Sequence, residues 1–263
     1  MLLFSLFGNP VAHSISPRLH NSVLKALNLN GCYIRKAIVD PSSLLTTFRA
    51  MHLQGANVTI PYKEAAYAQC DEVRGIAKET GAVNTLVKEG TRIIGYNTDA
   101  EGFYESIKSF GTLRNALILG AGGTAKAIAI ILKEHHIETT ILNRSAPRLS
   151  FFEEKGFICK TWETFEIGAY DLIINTTSAG LNDDSLPCET AILEALFQQA
   201  HYAFDVIYHQ STPFLKMAQR YHLTVKDGKE MLLYQGVLAF NLFFSKRYEF
   251  KTIESLMRPA FEL

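Results

Sequence analysis

The sequence predicts an α/β protein of two lobes, and three observations carry that prediction: length, the alternation of apolar runs with helical patterns, and one apolar strand that runs straight into a glycine turn. A chain of 263 residues is long for one core and comfortable for two. Strand-like and helix-like stretches alternate from end to end, with no internal repeat or low-complexity tract. At 115–132, NALILGAGGTAKAIAIIL reads as strand, tight turn and apolar helix, the opening of a nucleotide-binding domain.

The remaining elements follow in order. LLFSLF at 2–7 reads as a strand, and Ser16-Pro17 opens a helix whose apolar positions Leu19, Val23 and Leu27 recur every four residues. A strand at 33–39, a helix after Asp40-Pro41, a strand at 56–60 and a short helix from Pro61 come next. NTLVK and RIIGY flank Glu89-Gly90, which predicts a hairpin. A helix at 98–109 leads into the glycine-turn strand, and further strands are predicted at 139–142, 170–175, 202–207 and 223–225. Two helices, from Gly228 to about residue 244 and from about Phe250 onward, close the chain.

Composition excludes several classes of function. Twenty-six basic residues balance twenty-six acidic ones, and no Lys/Arg run exists that could track nucleic acid or an anionic bilayer. Cys32, Cys70, Cys159 and Cys188 are scattered without zinc-ligand spacing. The apolar start is too short for a signal peptide, and the longest apolar stretch is interrupted by Lys126 and glycines, so no membrane segment is expected and the cytoplasm is the default location. His135 and His136 are neighbours on a helix and cannot share a metal, HExxH is absent, and no nucleophile elbow or P-loop lysine appears.

In GAGGTA, Gly120 can make the tight turn, Gly122 lets backbone approach a pyrophosphate, and Ala125 takes the small position where helix meets strand. The helix that starts there turns unpaired N–H groups and its positive dipole end toward phosphate. The next strand ends in Asn143-Arg144-Ser145, with Arg148 close behind and no carboxylate where an NAD enzyme usually carries one. A guanidinium can instead clasp a 2′-phosphate, so the pattern favours NADP. Ordinary solvated arginines after a strand are the competing reading.

Four polar clusters fall in predicted loops: GNPVAHSISPRLHN at 8–21, GANVTIPYK at 55–63, GAVNT at 81–85 and GYNTDAEG at 95–102. Reduction of a ketone by hydride leaves negative charge on oxygen, which a positioned acid must stabilise and protonate. Lys63, at a strand-to-helix turn, is the candidate, with Asp99 as the carboxylate that orients it. An exposed helix lysine and an ordinary helix cap are the competing readings of these two residues.

Together with GAGGTA, the strand ending in Asn-Arg, and DGKEMLLYQG at 227–236, these clusters resemble the shikimate dehydrogenase family over essentially the whole chain. The resemblance implies a substrate lobe (1–102, rejoined by helices at 228–263), a Rossmann lobe (103–227) and a cleft between them. It implies reversible, NADP-dependent reduction of 3-dehydroshikimate to shikimate in aromatic amino acid biosynthesis, with Lys63 and Asp99 as the catalytic pair. Ser14 and Ser16 would hold the substrate carboxylate, Thr59, Asn84 and Gln235 its hydroxyls, and Tyr208 would stand near the carboxylate. Gly120, Ala121, Gly122, Gly123, Thr124, Ala125, Asn143, Arg144, Ser145, Arg148, Thr176, Ile207 and Gly228 would form the cofactor site.

The run Tyr208-His209-Gln210-Ser211-Thr212-Pro213 departs from the family by lacking a Tyr-Asn-Pro proline and one residue, and Thr124 replaces an alanine. No metal, nucleic acid or membrane partner is expected; the oligomer to consider is a homodimer. The rival readings are a quinate or quinate/shikimate dehydrogenase using NAD, and a non-catalytic nucleotide or metabolite sensor on the same fold.

Overall fold

The computed structural model describes residues 1–208 and 210–261; His209 lies outside the described residues. The chain divides into two compact units, Met1–Gly102 with Leu232–Leu263, and Phe103–Met231.

The first unit carries β1 (Leu2–Gly8), α1 (Ser16–Ala26), β2 (Gly31–Ala37), α2 (Leu44–Ala50), β3 (Gly55–Val58), α3 (Lys63–Gln69), β4 (Glu72–Val73), α4 (Ala77–Thr80), β5 (Thr85–Glu89), β6 (Arg92–Tyr96) and the start of α5 (Asp99–Ile107). Its sheet runs β2-β1-β3-β5-β6-β4, with β1 parallel to β2 and β3, and β5 antiparallel to β3 and β6. The hairpin forms one residue later than the sequence predicted. Glu89 still pairs with Arg92, so the two turn residues are Gly90 and Thr91, with Gly90 in the left-handed region at φ +62°. In α1, Leu19 and Val23 are buried as their spacing predicts, and Leu27 becomes the residue that closes the helix. Ser16 is the first helical residue, not the cap; Ile15 precedes it without a side-chain cap.

The second unit carries β7 (Asn115–Leu119), α6 (Gly123–Glu134), β8 (Glu138–Leu142), α7 (Ser150–Glu154), β9 (Ile158–Lys160), β10 (Leu172–Asn175), α8 (Thr190–Phe197), β11 (Tyr202–Asp205), α9 (Pro213–Arg220) and β12 (Thr224–Lys226). Among the described residues every pairing in its sheet is parallel, in the order β12-β11-β10-β7-β8-β9. That is the Rossmann order, reversing direction between β7 and β10, where ligands of such sheets bind. Parallel strands are buried on both faces, and β10 is buried at all four positions. Ala125, Ala127, Ile128 and Ile131 of α6 are likewise buried. His135 and His136 stand past the end of α6, not on it: His135 caps the helix and His136 turns left-handed at φ +59°. The end of the unit falls inside α10 (Lys229–Phe243), four residues beyond the 227 expected from sequence. The first turn of that helix is tied backward, because Lys226 Nζ donates to Glu230 at 2.5 Å.

Past that turn, α10 and then α11 (Phe250–Met257) supply the first unit's second core. Leu233, Val237 and Phe240 from α10, with Ile253 and Met257 from α11, pack with Phe4, Leu6, Leu19, Val23 and Tyr33. Each such side chain contributes about 1.5–3 kcal/mol by leaving water.

One polar group is caught in this core. The ring of His20 stacks on Tyr33 with centroids 4.3 Å apart, and neither ring nitrogen has a hydrogen-bond partner among the described residues. Burial therefore pushes its pKa down to about 3. The folded protein keeps His20 neutral, whereas the unfolded chain takes up a proton below about 6.5. Its contribution is complete above that value and declines as pH falls from about 6.5 toward about 3. Replacing His20 with Phe should remove about 2 kcal/mol of the stability lost between about pH 7 and pH 5. Denaturant unfolding at the two pH values checks this; equal acid losses in both proteins would contradict it.

Candidate active site

Lys63 and Asp99 lie 36 residues apart and meet: Nζ donates to Oδ2 at 2.6 Å. Their side chains are 20% and 12% exposed, so this is not the solvated helix lysine that sequence left as an alternative. Both are held by the same short segment. The Val83 N–H donates to the Lys63 carbonyl at 2.9 Å, fixing the first residue of α3. On the other side, Asn84 Oδ1 accepts from the Thr98 N–H at 2.8 Å, and Asn97 Nδ2 donates to the Ala82 carbonyl at 3.1 Å. Asn97 Oδ1 then accepts the Asp99 N–H at 3.0 Å. Residues 82–84 thus clamp the lysine turn and the aspartate turn at once.

The clamp belongs to a buried polar network. Asn84 Nδ2 donates to Thr98 Oγ1 at 3.1 Å, Thr85 Oγ1 donates to Asn84 Oδ1 at 2.9 Å, and Asn57 Nδ2 donates to Thr85 Oγ1 at 3.1 Å. Tyr33 Oη closes it by donating to Asn57 Oδ1 at 2.8 Å. Satisfied networks of this kind fix geometry, since each unpaired member would carry its full desolvation penalty. Sequence reasoning assigned no role to Asn57, Asn97 or Thr98; their only signal was a dense run of amides and hydroxyls inside the quoted motifs.

The remaining expected substrate residues sit as follows. Ser14 Oγ donates to Ser16 Oγ at 3.1 Å, and the Ser14 carbonyl is gripped by the Arg35 guanidinium, so the two hydroxyls do share one side of the loop. Thr59 lies against the end of β1: a Cβ on Gly8 would fall 2.4 Å from Thr59 Cγ2. Gln235 is buried beside the start of α5, where a Cβ on Gly102 would fall 2.7 Å from its backbone nitrogen. Its Nε2 donates to the Leu232 carbonyl at 2.9 Å. Tyr208 belongs to the second unit, and burial raises its hydroxyl pKa.

In the second unit a cavity of about 480 Å³ opens at the sheet's switch point. Gly120, Ala121, Gly122, Asn143, Arg144, Arg148 and Thr176 line it. Gly123, Thr124, Ala125, Ser145, Ile207 and Gly228 are not in its wall. Ala125 is buried where α6 meets the sheet, and Gly228 is pressed on Val206, whose carbonyl oxygen would be 2.3 Å from a Cβ there. Gly122 caps α6 without a side-chain bond, and a Cβ at Gly122 or Gly123 would meet nothing within 4 Å. Uncapped first-turn N–H groups, open space and two exposed arginines suit a phosphorylated dinucleotide. Trp162, Thr177, Asp183, Leu186 and Pro187 also line the cavity and carried no sequence signal of their own.

Beneath it, Asp205 joins three segments. Its carboxylate accepts from Asn175 Nδ2 at 3.1 Å, the Ile207 N–H at 3.0 Å and Thr212 Oγ1 at 2.7 Å. Burial nevertheless raises its pKa. Gln210, ahead of α9, donates to the Leu181 carbonyl at 3.1 Å, tying its segment to the one after β10. Among the described residues no cluster of three His, Cys, Asp or Glu is placed to hold a metal, and no helix is long and apolar enough to cross a membrane.

A mixed α/β unit bearing a part-buried lysine–aspartate pair, with a Rossmann unit whose glycine turn lines a cavity at the switch point of its sheet, fits the class of two-unit nicotinamide-dependent dehydrogenases. The family description "Shikimate dehydrogenase substrate binding domain" matches residues 6–86. The shikimate dehydrogenase (NADP(+)) of Helicobacter hepaticus is 50% identical over 253 residues, covering 95% of this chain and 94% of the relative. That of Helicobacter acinonychis is 44% identical over 262 residues, covering 98% of each. The crystal structure of the Thermus thermophilus shikimate 5-dehydrogenase in complex with NADP(H) and shikimate superposes with a TM-score of 0.85 at 36% identity, covering 99% of this chain and 100% of that one. The chain belongs to the shikimate dehydrogenase family.

The glycine turn gives a direct stability contrast. Gly120 has φ +108°, and a Cβ there would fall 2.7 Å from Thr176 Oγ1. Gly120→Ala should destabilise the protein by roughly 1–3 kcal/mol, while Gly123→Ala should stay within about 0.5 kcal/mol of wild type. Denaturant unfolding of the two variants checks the contrast.

Proposed function

We propose that this chain is an NADP-dependent dehydrogenase that interconverts 3-dehydroshikimate and shikimate in aromatic amino acid (chorismate) biosynthesis. The observation that carries the reading is the 2.6 Å contact between Lys63 Nζ and Asp99 Oδ2, in the two motifs where the family carries its lysine and aspartate. The curated relatives bear the name shikimate dehydrogenase (NADP(+)), and the Thermus thermophilus relative was crystallised with NADP(H) and shikimate, which supports both substrate and cofactor.

When bound, the nicotinamide supplies the hydride that converts the ring ketone to an alcohol. Lys63 holds the proton that this oxygen acquires as charge develops on it, and in the reverse direction takes it back. Asp99 keeps the ammonium pointed at that oxygen. A donor already in place gives most where charge appears, because nothing has to reorganise at the moment of reaction.

Ser14 and Ser16 bind the substrate carboxylate, with the Arg35 clamp on Ser14 holding their loop in place. Thr59, Asn84 and Gln235 take the ring hydroxyls, Asn84 with the amide N–H that remains beyond its bond to Thr98. Tyr208 is assigned to the substrate carboxylate by the family resemblance alone. In the second unit, Gly120 to Ala125 receive the pyrophosphate, Asn143, Arg144, Ser145 and Arg148 the 2′-phosphate ribose, and Thr176, Ile207 and Gly228 border the remainder.

The NAD and quinate alternative is not favoured: β8 ends at Leu142 and is followed by Asn143-Arg144, with no acidic side chain there to take a ribose hydroxyl. The balanced charge supports a cytoplasmic enzyme acting on free small molecules, without nucleic acid or membrane partners. A homodimer is the assembly to test by light scattering.

Lys63→Ala should lower kcat about 10²- to 10⁴-fold and change the KM for shikimate far less. Initial rates followed at the reduced-nicotinamide absorbance check this, and equal damage to both would make Lys63 a binding residue. Arg144→Ala should weaken NADP binding by roughly ten- to a hundredfold and leave NAD binding nearly unchanged, read by titration with each cofactor.

A further inference from the structure

The cofactor cavity holds one feature that phosphate chemistry does not explain. Trp162 is the sole tryptophan of the chain, stands two residues beyond β9, and lines the cavity beside Leu142, Asn143 and Arg144. Its position follows from strand pairing: the Asn143 N–H donates to the Lys160 carbonyl at 3.1 Å, which sets the end of β9 next to the arginine turn. The indole is only partly buried. It packs with Leu186 against the second unit's core, leaving the rest of its surface to the cavity.

Leu186 and Pro187 bring further apolar surface to the same cavity. Their loop is held in shape by Asp183, whose Oδ1 accepts from the Ser185 N–H at 3.0 Å and from Ser185 Oγ at 2.5 Å. The cavity therefore divides chemically. Glycine-turn N–H groups and arginines suit phosphates, while an indole, a leucine and a proline suit a flat, weakly polar ring with a π face.

We propose that Trp162, with Leu186 and Pro187, forms the slot for the adenine base of the cofactor, making Trp162 a determinant of cofactor affinity and a built-in optical reporter of its binding. The inference rests on the NADP reading above. Base-on-aromatic stacking is sequence-tolerant and geometrically undemanding, so the slot accepts the base whether or not the 2′-phosphate is present. A purely structural Trp162 would alter melting but not the affinity for adenine-bearing ligands.

The wild-type chain is titrated with adenosine 2′,5′-bisphosphate and, separately, with nicotinamide mononucleotide, following Trp162 emission and, in parallel, heat by calorimetry. The bisphosphate should change the emission saturably, and the mononucleotide at the same concentration should not. Trp162→Ala should bind the bisphosphate and NADP on the order of tenfold more weakly, Trp162→Phe should stay within about threefold of wild type, and the KM for shikimate should not move. Calorimetric binding of the bisphosphate with flat emission, or wild-type affinity in a folded Trp162→Ala, overturns the slot alone. Absence of any NADP binding to the wild-type chain would remove the cofactor reading and the slot with it. Should Trp162→Ala fail to fold, the wild-type emission decides the question.

Discussion

The chemistry proposed for the first unit depends on one ion pair whose two halves come from distant parts of the chain and are held by a third. Lys63 heads α3 and Asp99 heads α5, and residues 82–84 hydrogen-bond to both turns. An exposed pair of this kind contributes little to stability, about 0–1 kcal/mol, and burying it brings a desolvation penalty that offsets much of the attraction. The value of the pair is positional. In the proposed reaction, an ammonium fixed by a carboxylate and shielded on most sides meets the developing alkoxide, and the buried amides around it hold that geometry.

The second unit solves a different problem with backbone. Its parallel sheet reverses order between β7 and β10, and the resulting gap is where Gly120 turns and α6 begins. No side chain caps the helix, so its first N–H groups remain for an anion. Below the cavity, Asp205 draws the ends of β10 and β11 and the start of α9 onto one carboxylate. Gln210 ties the segment before α9 to the one after β10.

How much of this was legible in the sequence follows from the range of the forces involved. The helix α1 was readable because one-sided burial imposes a period on it, and the strand before the glycine turn because burial on both faces makes it a continuous apolar run. The two-residue β4, three-residue β9 and five-residue α7 went unassigned, and so did the eight-residue α8 and α9. Boundaries moved where pairing decides them: β2 begins at Gly31 because Leu2 pairs with it, two residues before the apolar pattern starts.

At the site, Lys63 and Asp99 were legible as residue types in motifs, and so were the paired serines. The clamp was not, because nothing local marks the Ala82 carbonyl or the Val83 N–H as partners of turns 15 to 20 residues away in the chain. Trp162 was hidden for the same reason: nothing local marks it, and the pairing of β8 with β9 brings its segment to the cavity. His20 sits on the buried face of α1 like its apolar neighbours, with nothing in the sequence to show that its nitrogens would find no partner.

The claim on which the rest stands is tested most directly by a crystal structure of the chain with shikimate and NADP bound. The account predicts the reacting hydroxyl of shikimate within about 3 Å of Lys63 Nζ, with the Asp99 carboxylate still bonded to the same ammonium. A complex in which that ammonium points to solvent, with the hydroxyl held by other groups, would contradict it.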